Sequence, residues 1–188
     1  MTNARALWIE GYAIVSDDGM LADASGVMPD ALKIEADKRF FERGMDGVDV
    51  AVHGRHSHEQ QPHSPRRLRL ILSRGVAGVA PDPANAKALF WNPAGASLED
   101  ALAALGVPDA RVGVVGGTAV FGLFLDRYDA FFLSRAAGVH LPGGRPVFPG
   151  VPAATPEAVL ADHGLRLAKT EALDASRGLT LETWRRPA

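Results

Sequence analysis

The sequence predicts an α/β protein built on a mixed, mainly parallel sheet with helices on its faces. Apolar, β-branched runs alternate with amphipathic stretches of helical period along most of the chain, which is the signature of parallel strands joined by crossover helices. Several runs close on glycine or on a Ser-Arg step, as in "VDVAVHG", "RLRLILS" and "RVGVVGG". The tail instead carries two alternating segments, "HGLRLAKTEAL" and "GLTLETWRR", joined through "DASRG", and reads as a closing antiparallel hairpin.

The elements follow in order. "LWIEGYAIV" (7–15) is rich in β-formers and predicts a buried first strand, with "SDDG" supplying the turn after it. Residues 20–30 form a long loop of the kind that covers sites. From Ala31 to Arg43, Leu32, Ile34, Phe40 and Phe41 recur among charges with partial helical spacing, and Gly44 stands where a helix would stop. Strands are expected at 48–54 and 67–73, as neighbours, and a shorter one at 88–92 after the turn-rich stretch 76–87. Ser97 caps a helix over 98–106, with Glu99 and Asp100 favouring its dipole and Gly106 ending it. A strand at 111–115, a helix at 118–127, the strand "DAFFLSR" and a turn-dense loop at 141–150 lead into the hairpin.

Composition narrows the function. With 188 residues, 47% of them hydrophobic and 22% charged, the chain is long enough for one substantial core, so a single domain over 1–188 is expected. A net charge of −2 with both signs interspersed offers no global field for nucleic acid or an anionic membrane. The absence of cysteine removes thiolate catalysis and fits a reducing compartment. No apolar run reaches the ~18–20 residues that cross a bilayer, so a cytoplasmic protein is expected, a homodimer being the common default.

Three stretches carry chemistry. Gly116 and Gly117 sit where a strand gives way to a helix, and serve equally as a tight corner or as a seat for an anion; neither the GxGxxG nor the Walker spacing is present. In "VHGRHSHEQQ" a second strand ends in Gly54 and is followed by Arg55, His56 and Ser57, a good seat for phosphate, or simply a solvated loop. Arg66, Arg67 and Arg69 open the third strand, while Ser73 and Arg74 close it. Ligands of such sheets bind at the carboxyl ends of the strands, so the three ends could face one polyphosphate ligand if the strands are parallel neighbours.

His53, His56, His58 and His63 lack a helical metal motif and a cysteine partner, and no metal is expected. Asp37 falls one turn ahead of Phe40 and Phe41. A carboxyl desolvated by those rings would have a raised pKa suited to moving a proton; an exposed helix carboxylate is the commoner case.

The order "ADKRFFERG", "VAVHGRHSHE", "RRLRLILS", "VGVVGGTAVFGLFL" resembles the dihydrofolate reductase superfamily, which includes the riboflavin-pathway pyrimidine reductases, over roughly residues 8–150. The resemblance implies a dihydrofolate reductase-like three-layer α/β/α fold and an NADPH-dependent reductase that passes hydride to a pterin-type heterocycle, with dihydrofolate leading. A reductase of a ribosylated aminopyrimidine in riboflavin biosynthesis, and a non-catalytic nucleotide-binding protein, are the alternatives. It further implies that Asp37 holds the heterocycle and helps protonate it, that Phe41 packs on it, and that Ser134 links to the acid. By the same resemblance Arg67 receives a substrate carboxylate; in the pyrimidine reading Arg67 or Arg66 would bind a phosphate instead. Gly54, Arg55, His56, Ser57, Ser73, Arg74, Gly116, Gly117, Thr118, Ala119 and Val120 would bind the cofactor. The chain departs from the pattern at Asp30, where the reductases carry tryptophan, at Thr118 for the third glycine, and at Ala119 for a commonly basic residue. Its "LPGGRPVFPG" is closer to the pyrimidine-reductase branch.

Overall fold

The computed structural model describes residues 7–55 and 66–187. Eleven strands are formed in them: β1 (Trp8–Ser16), β2 (Met20–Ala22), β3 (Val50–Gly54), β4 (Leu68–Leu72), β5 (Val79–Pro81), β6 (Ala88–Trp91), β7 (Arg111–Val114), β8 (Ala130–Ala136), β9 (Arg145–Pro146), β10 (Arg166–Asp174) and β11 (Leu179–Arg185). Nine of them make one sheet in the order β10-β11-β8-β1-β7-β3-β4-β6-β5, and β2 pairs with β9. From β8 to β6 all neighbours are parallel; the antiparallel pairs are β10-β11, β11-β8 and β6-β5 at the two ends. The predicted mixed, mainly parallel sheet with its C-terminal hairpin is therefore present.

Alternation along the strands separates two layers of helix. On β1, Ile9 and Val15 face one cluster while Tyr12 and Ile14 face the other side; on β3, Val50 and Val52 oppose Ala51 in the same way. The first side is covered by α2 (Leu98–Ala104), α3 (Thr118–Leu123) and α4 (Pro156–Asp162), through Leu98, Leu102, Phe121 and Leu160. The other side carries α1 (Glu35–Asp46), with Met45, Phe40 and Phe41 against Tyr12. This is the three-layer arrangement.

Four expectations need correction. The first α-helix begins at Glu35, not Ala31: Asp30–Leu32 make a separate 3₁₀ turn and Ile34 is extended, which turns Leu32 and Ile34 together into the cluster of Ile14, Ala136 and Leu179. It also runs through Gly44 to Asp46. A Cβ on Gly44 would lie 2.5 Å from the Tyr12 ring, so this glycine permits a close approach instead of ending the helix. The helix at 118–127 stops at Leu123, after which Phe124, Leu125 and Arg127 continue in turns bonded three residues back. Finally, α4 was not predicted, although Thr155 accepts from the Ala158 N–H and Pro156 occupies the first turn.

Candidate active site

On α1 the residues Asp37, Phe40, Phe41, Gly44 and Met45 recur at the three- and four-residue intervals of one helical face, which is turned toward the sheet. Opposite them, β1 presents Tyr12 and Ile14, and β8 presents Phe132 and Ser134. Between helix and sheet lies a cavity of about 550 Å³. Leu21 and Met28, from the segment after β1, line it from outside, so the long 20–30 stretch does lie over a cavity.

Five aromatic residues, Tyr12, Phe40, Phe41, Phe121 and Phe132, line the cavity. Tyr12 stacks on Phe132 at 4.9 Å and meets the edge of Phe41 at 5.9 Å, and Phe40 stands edge-on to Phe132 at 5.5 Å. Such a set offers flat apolar surface to a planar ligand. The Tyr12 hydroxyl donates to the fully buried Glu10 at 2.5 Å, and Glu10 also accepts from Trp8 Nε1 at 2.8 Å and from Arg111 at 2.7 Å. Burial, with the Glu10 carboxylate beside it, pushes the Tyr12 phenol up, so it stays neutral.

Asp37 is the acid in this wall. Desolvation raises its pKa to about 6, against a smaller opposing effect from the Ser134 hydroxyl, which hydrogen-bonds to its carboxylate. Glu35 and Lys38, from the start of α1, and Lys33, just ahead of it, also reach the lining.

The end of the cavity is closed by Val115, Gly116 and Gly117. Gly116 has φ 148° and Gly117 φ 78°, so both lie in the region that side chains rarely occupy. The two glycines follow β7, and the sheet order sets β7, β3 and β4 side by side and parallel. The ends carrying Gly116-Gly117, Gly54-Arg55 and Ser73-Arg74 are thus three consecutive carboxyl ends of one sheet, the juxtaposition on which the anion reading depended.

Among solved structures, the chain is similar to a candidate riboflavin biosynthesis protein from Shewanella sp. PV-4, at 21% identity and a TM-score of 0.67 over 97% of this chain and 100% of that one. It is similar to a diaminohydroxyphosphoribosylaminopyrimidine deaminase/5-amino-6-(5-phosphoribosylamino)uracil reductase from Thermotoga maritima, at 18% identity and a TM-score of 0.62, covering 97% of this chain but 57% of that longer one. A dihydrofolate reductase from Enterococcus faecalis, in complex with NADP(H) and RAB-propyl, matches at 17% identity and a TM-score of 0.64 over 96% of this chain and 97% of that one. The fold is that of the dihydrofolate reductases. No family model matches the chain, and neither does any curated protein.

Within this dihydrofolate reductase-like fold the anticipated residues divide into groups. Asp37, Phe41, Ser134, Gly116 and Gly117 all line the cavity. Arg67 does not line it: it is buried and paired with Asp46 at the end of α1, at 2.9 Å. Arg55 and Arg74 are exposed at their strand ends, while Ser73 is buried and its hydroxyl accepts from the Gly75 N–H at 3.2 Å. The Thr118 hydroxyl donates to the Pro146 carbonyl, tying the glycine turn to β9. Ala119 is exposed, whereas the Val120 side chain is buried in the core beneath Gly54 and Gly117. His56 and Ser57 lie outside the described residues, as do His58 and His63. His53 belongs to the sheet: Arg69 donates to its Nε2 at 3.2 Å, so its Nδ1–H donates to the Gly54 carbonyl at 2.9 Å.

Sequence reasoning missed Tyr12, Phe132, Lys33 and Lys38 as cavity residues. The period-2 spacing of Glu10, Tyr12 and Ile14 was the available signal for the first of them. Among the described residues no helix is long and apolar enough to cross a membrane.

Proposed function

We propose that the protein is an NADPH-dependent reductase that delivers hydride to a flat, pterin-type heterocycle bound in the aromatic cavity. One observation carries this reading: a desolvated carboxyl, Asp37, shares the cavity with the Gly116-Gly117 turn, whose strand adjoins two further strand ends bearing Arg55 and Arg74.

The residues fit a dinucleotide. Gly54 and Gly117, at the ends of neighbouring strands, carry no side chain, so the backbone itself forms this part of the surface and a phosphate chain can approach it. Arg55 and Arg74 present guanidinium groups, the side chain best matched to phosphate oxygens. When bound, NADPH supplies the hydride.

The chain's own part is binding, orientation and proton management. Phe41, Phe40 and Tyr12 hold the heterocycle flat and exclude water from its face. Asp37, with a pKa near 6, accepts hydrogen bonds from ring N–H groups when ionised and can keep a proton near the ring nitrogen when neutral. Ser134 holds the carboxyl in place.

A second reading, reduction of a ribosylated aminopyrimidine, is favoured by Lys33 and Lys38, the cations in the cavity lining, which suit a ribose phosphate. Arg67, engaged with Asp46 outside the lining, supplies the anion contact of neither reading. Following loss of nicotinamide absorbance with NADPH and either dihydrofolate or the ribosylated pyrimidine decides between them. Oxidation with one substrate assigns the class; no oxidation with either, despite NADPH binding, leaves the non-catalytic alternative and refutes the proposal.

A further inference from the structure

The sheet ends on β10, whose outer side pairs with no strand among the described residues. Its residues read Arg166-Leu167-Ala168-Lys169-Thr170-Glu171-Ala172-Leu173-Asp174, and the first five are exposed, Leu167 at 50%. This order is complementary to its own reverse. Counting outward from Thr170, Lys169 mirrors Glu171, Ala168 mirrors Ala172, Leu167 mirrors Leu173, and Arg166 mirrors Asp174.

In an antiparallel pair related by a two-fold axis, residues equidistant from the axis stand directly opposite one another. A second copy of β10 laid against the first about Thr170 therefore sets every base opposite an acid, and the bulged residues Ala168 and Leu173, one on each side of the axis, leave the charges in step. The pairing with β11 makes this productive. Arg166, Lys169, Glu171 and Asp174 lie opposite Arg185, Thr183, Leu181 and Leu179, alternate residues on one face of β11, because register shifts fall between Leu167 and Lys169 and between Ala172 and Asp174. All four charges thus share one face of the sheet.

Other pairings are disfavoured by the same residues. Moving the axis by one residue opposes Lys169 to its own copy, or Glu171 to its own copy, and a parallel in-register pair opposes every charge to its like; like charges directly opposite are destabilising. Charges and irregularities also protect an edge against any partner, but protection needs no mirrored order of signs. In the single chain Lys169 and Glu171 pair with each other at 2.8 Å, both well exposed; such a contact is worth little and is readily exchanged for one across the axis.

We propose that β10 is a self-association edge, on which two copies of the chain pair antiparallel about Thr170 and continue the sheet through the dimer. Sedimentation of the full chain over a range of concentrations should show a monomer–dimer equilibrium. Lys169→Glu or Glu171→Lys alone should raise the dimer dissociation constant about tenfold or more, since two symmetry-related pairs turn repulsive. The double exchange should restore it, with circular dichroism unchanged throughout. Thr170→Cys, in a chain without cysteine, should cross-link to its own copy on oxidation, because directly opposed Cα atoms ~4.5–5.5 Å apart suit a disulfide; Ala168→Cys, bulged and away from the axis, should not. A wild-type monomer at every concentration, a dimer indifferent to the single reversals, a double exchange that fails to restore it, or no cross-link at Thr170→Cys would each overturn the assignment.

Discussion

The Ser134 hydroxyl of β8 hydrogen-bonds to the Asp37 carboxylate of α1 across the cavity, yet burial still holds that carboxyl near pH 6. The two effects oppose each other and desolvation wins. The pair thereby sets where the acid titrates as well as where it points.

If Asp37 manages a proton at the bound ring, Asp37→Asn lowers turnover by on the order of 100-fold or more and leaves NADPH affinity nearly unchanged, because Asp37 belongs to the heterocycle's end of the cavity. Steady-state rates with cofactor titrations check both halves. In the wild type kcat/KM should fall as pH rises through about 6, and this limb should vanish in the variant.

Ser134→Ala removes the group that lowers the Asp37 pKa, so the same limb should move to higher pH. A pH–rate profile reads the direction. A purely structural role for Ser134 would alter the rate without moving the limb.

Asp37 also links stability to pH. Its folded pKa, near 6, lies above the ordinary carboxyl value, so between about pH 4 and 6 the folded state holds a proton that the unfolded state has released, and stability falls as pH rises across that window. Asp37→Asn should flatten this slope and, at pH 7, gain on the order of 1–2 kcal/mol. Denaturant unfolding at pH 4.5 and 7 measures it.

The sequence made the strand ends legible because β-branched runs that stop on glycine or Ser-Arg leave a direct pattern, and Asp37 was legible because helical spacing ties it to Phe40 and Phe41. Tyr12 was not, since "LWIEGYAIV" reads as a strand buried as a whole and nothing in the run says which of its faces meets a cavity; even Glu10 is fully buried, under hydrogen bonds from Trp8, Tyr12 and Arg111. The engagement of Arg67 could not be read either. Its partner, Asp46, lies 21 residues away and becomes a neighbour only when β4 starts beside the end of α1. The helix α4 carried both capping signals of its own, but Pro149, Gly150, Pro152 and Pro156 make its approach read as a continuation of the turn-dense loop.

Gly44→Ala tests the packing that shapes the cavity. Alanine gains up to about 1 kcal/mol of helix propensity, but a Cβ 2.5 Å from Tyr12 forces overpacking that costs about 1–3 kcal/mol. The expected net result is a destabilisation of about 1 kcal/mol, read by denaturant unfolding, together with weakened heterocycle binding as the Tyr12 ring shifts.

If neighbouring strand ends form a seat for a phosphorylated nicotinamide carrier, equilibrium titration of the protein with NADPH and NADH reads it out. Saturable binding that favours NADPH is expected, with the preference reduced in Arg74→Ala. Failure to bind either nucleotide, or equal affinity for both that Arg74→Ala leaves unchanged, would contradict it.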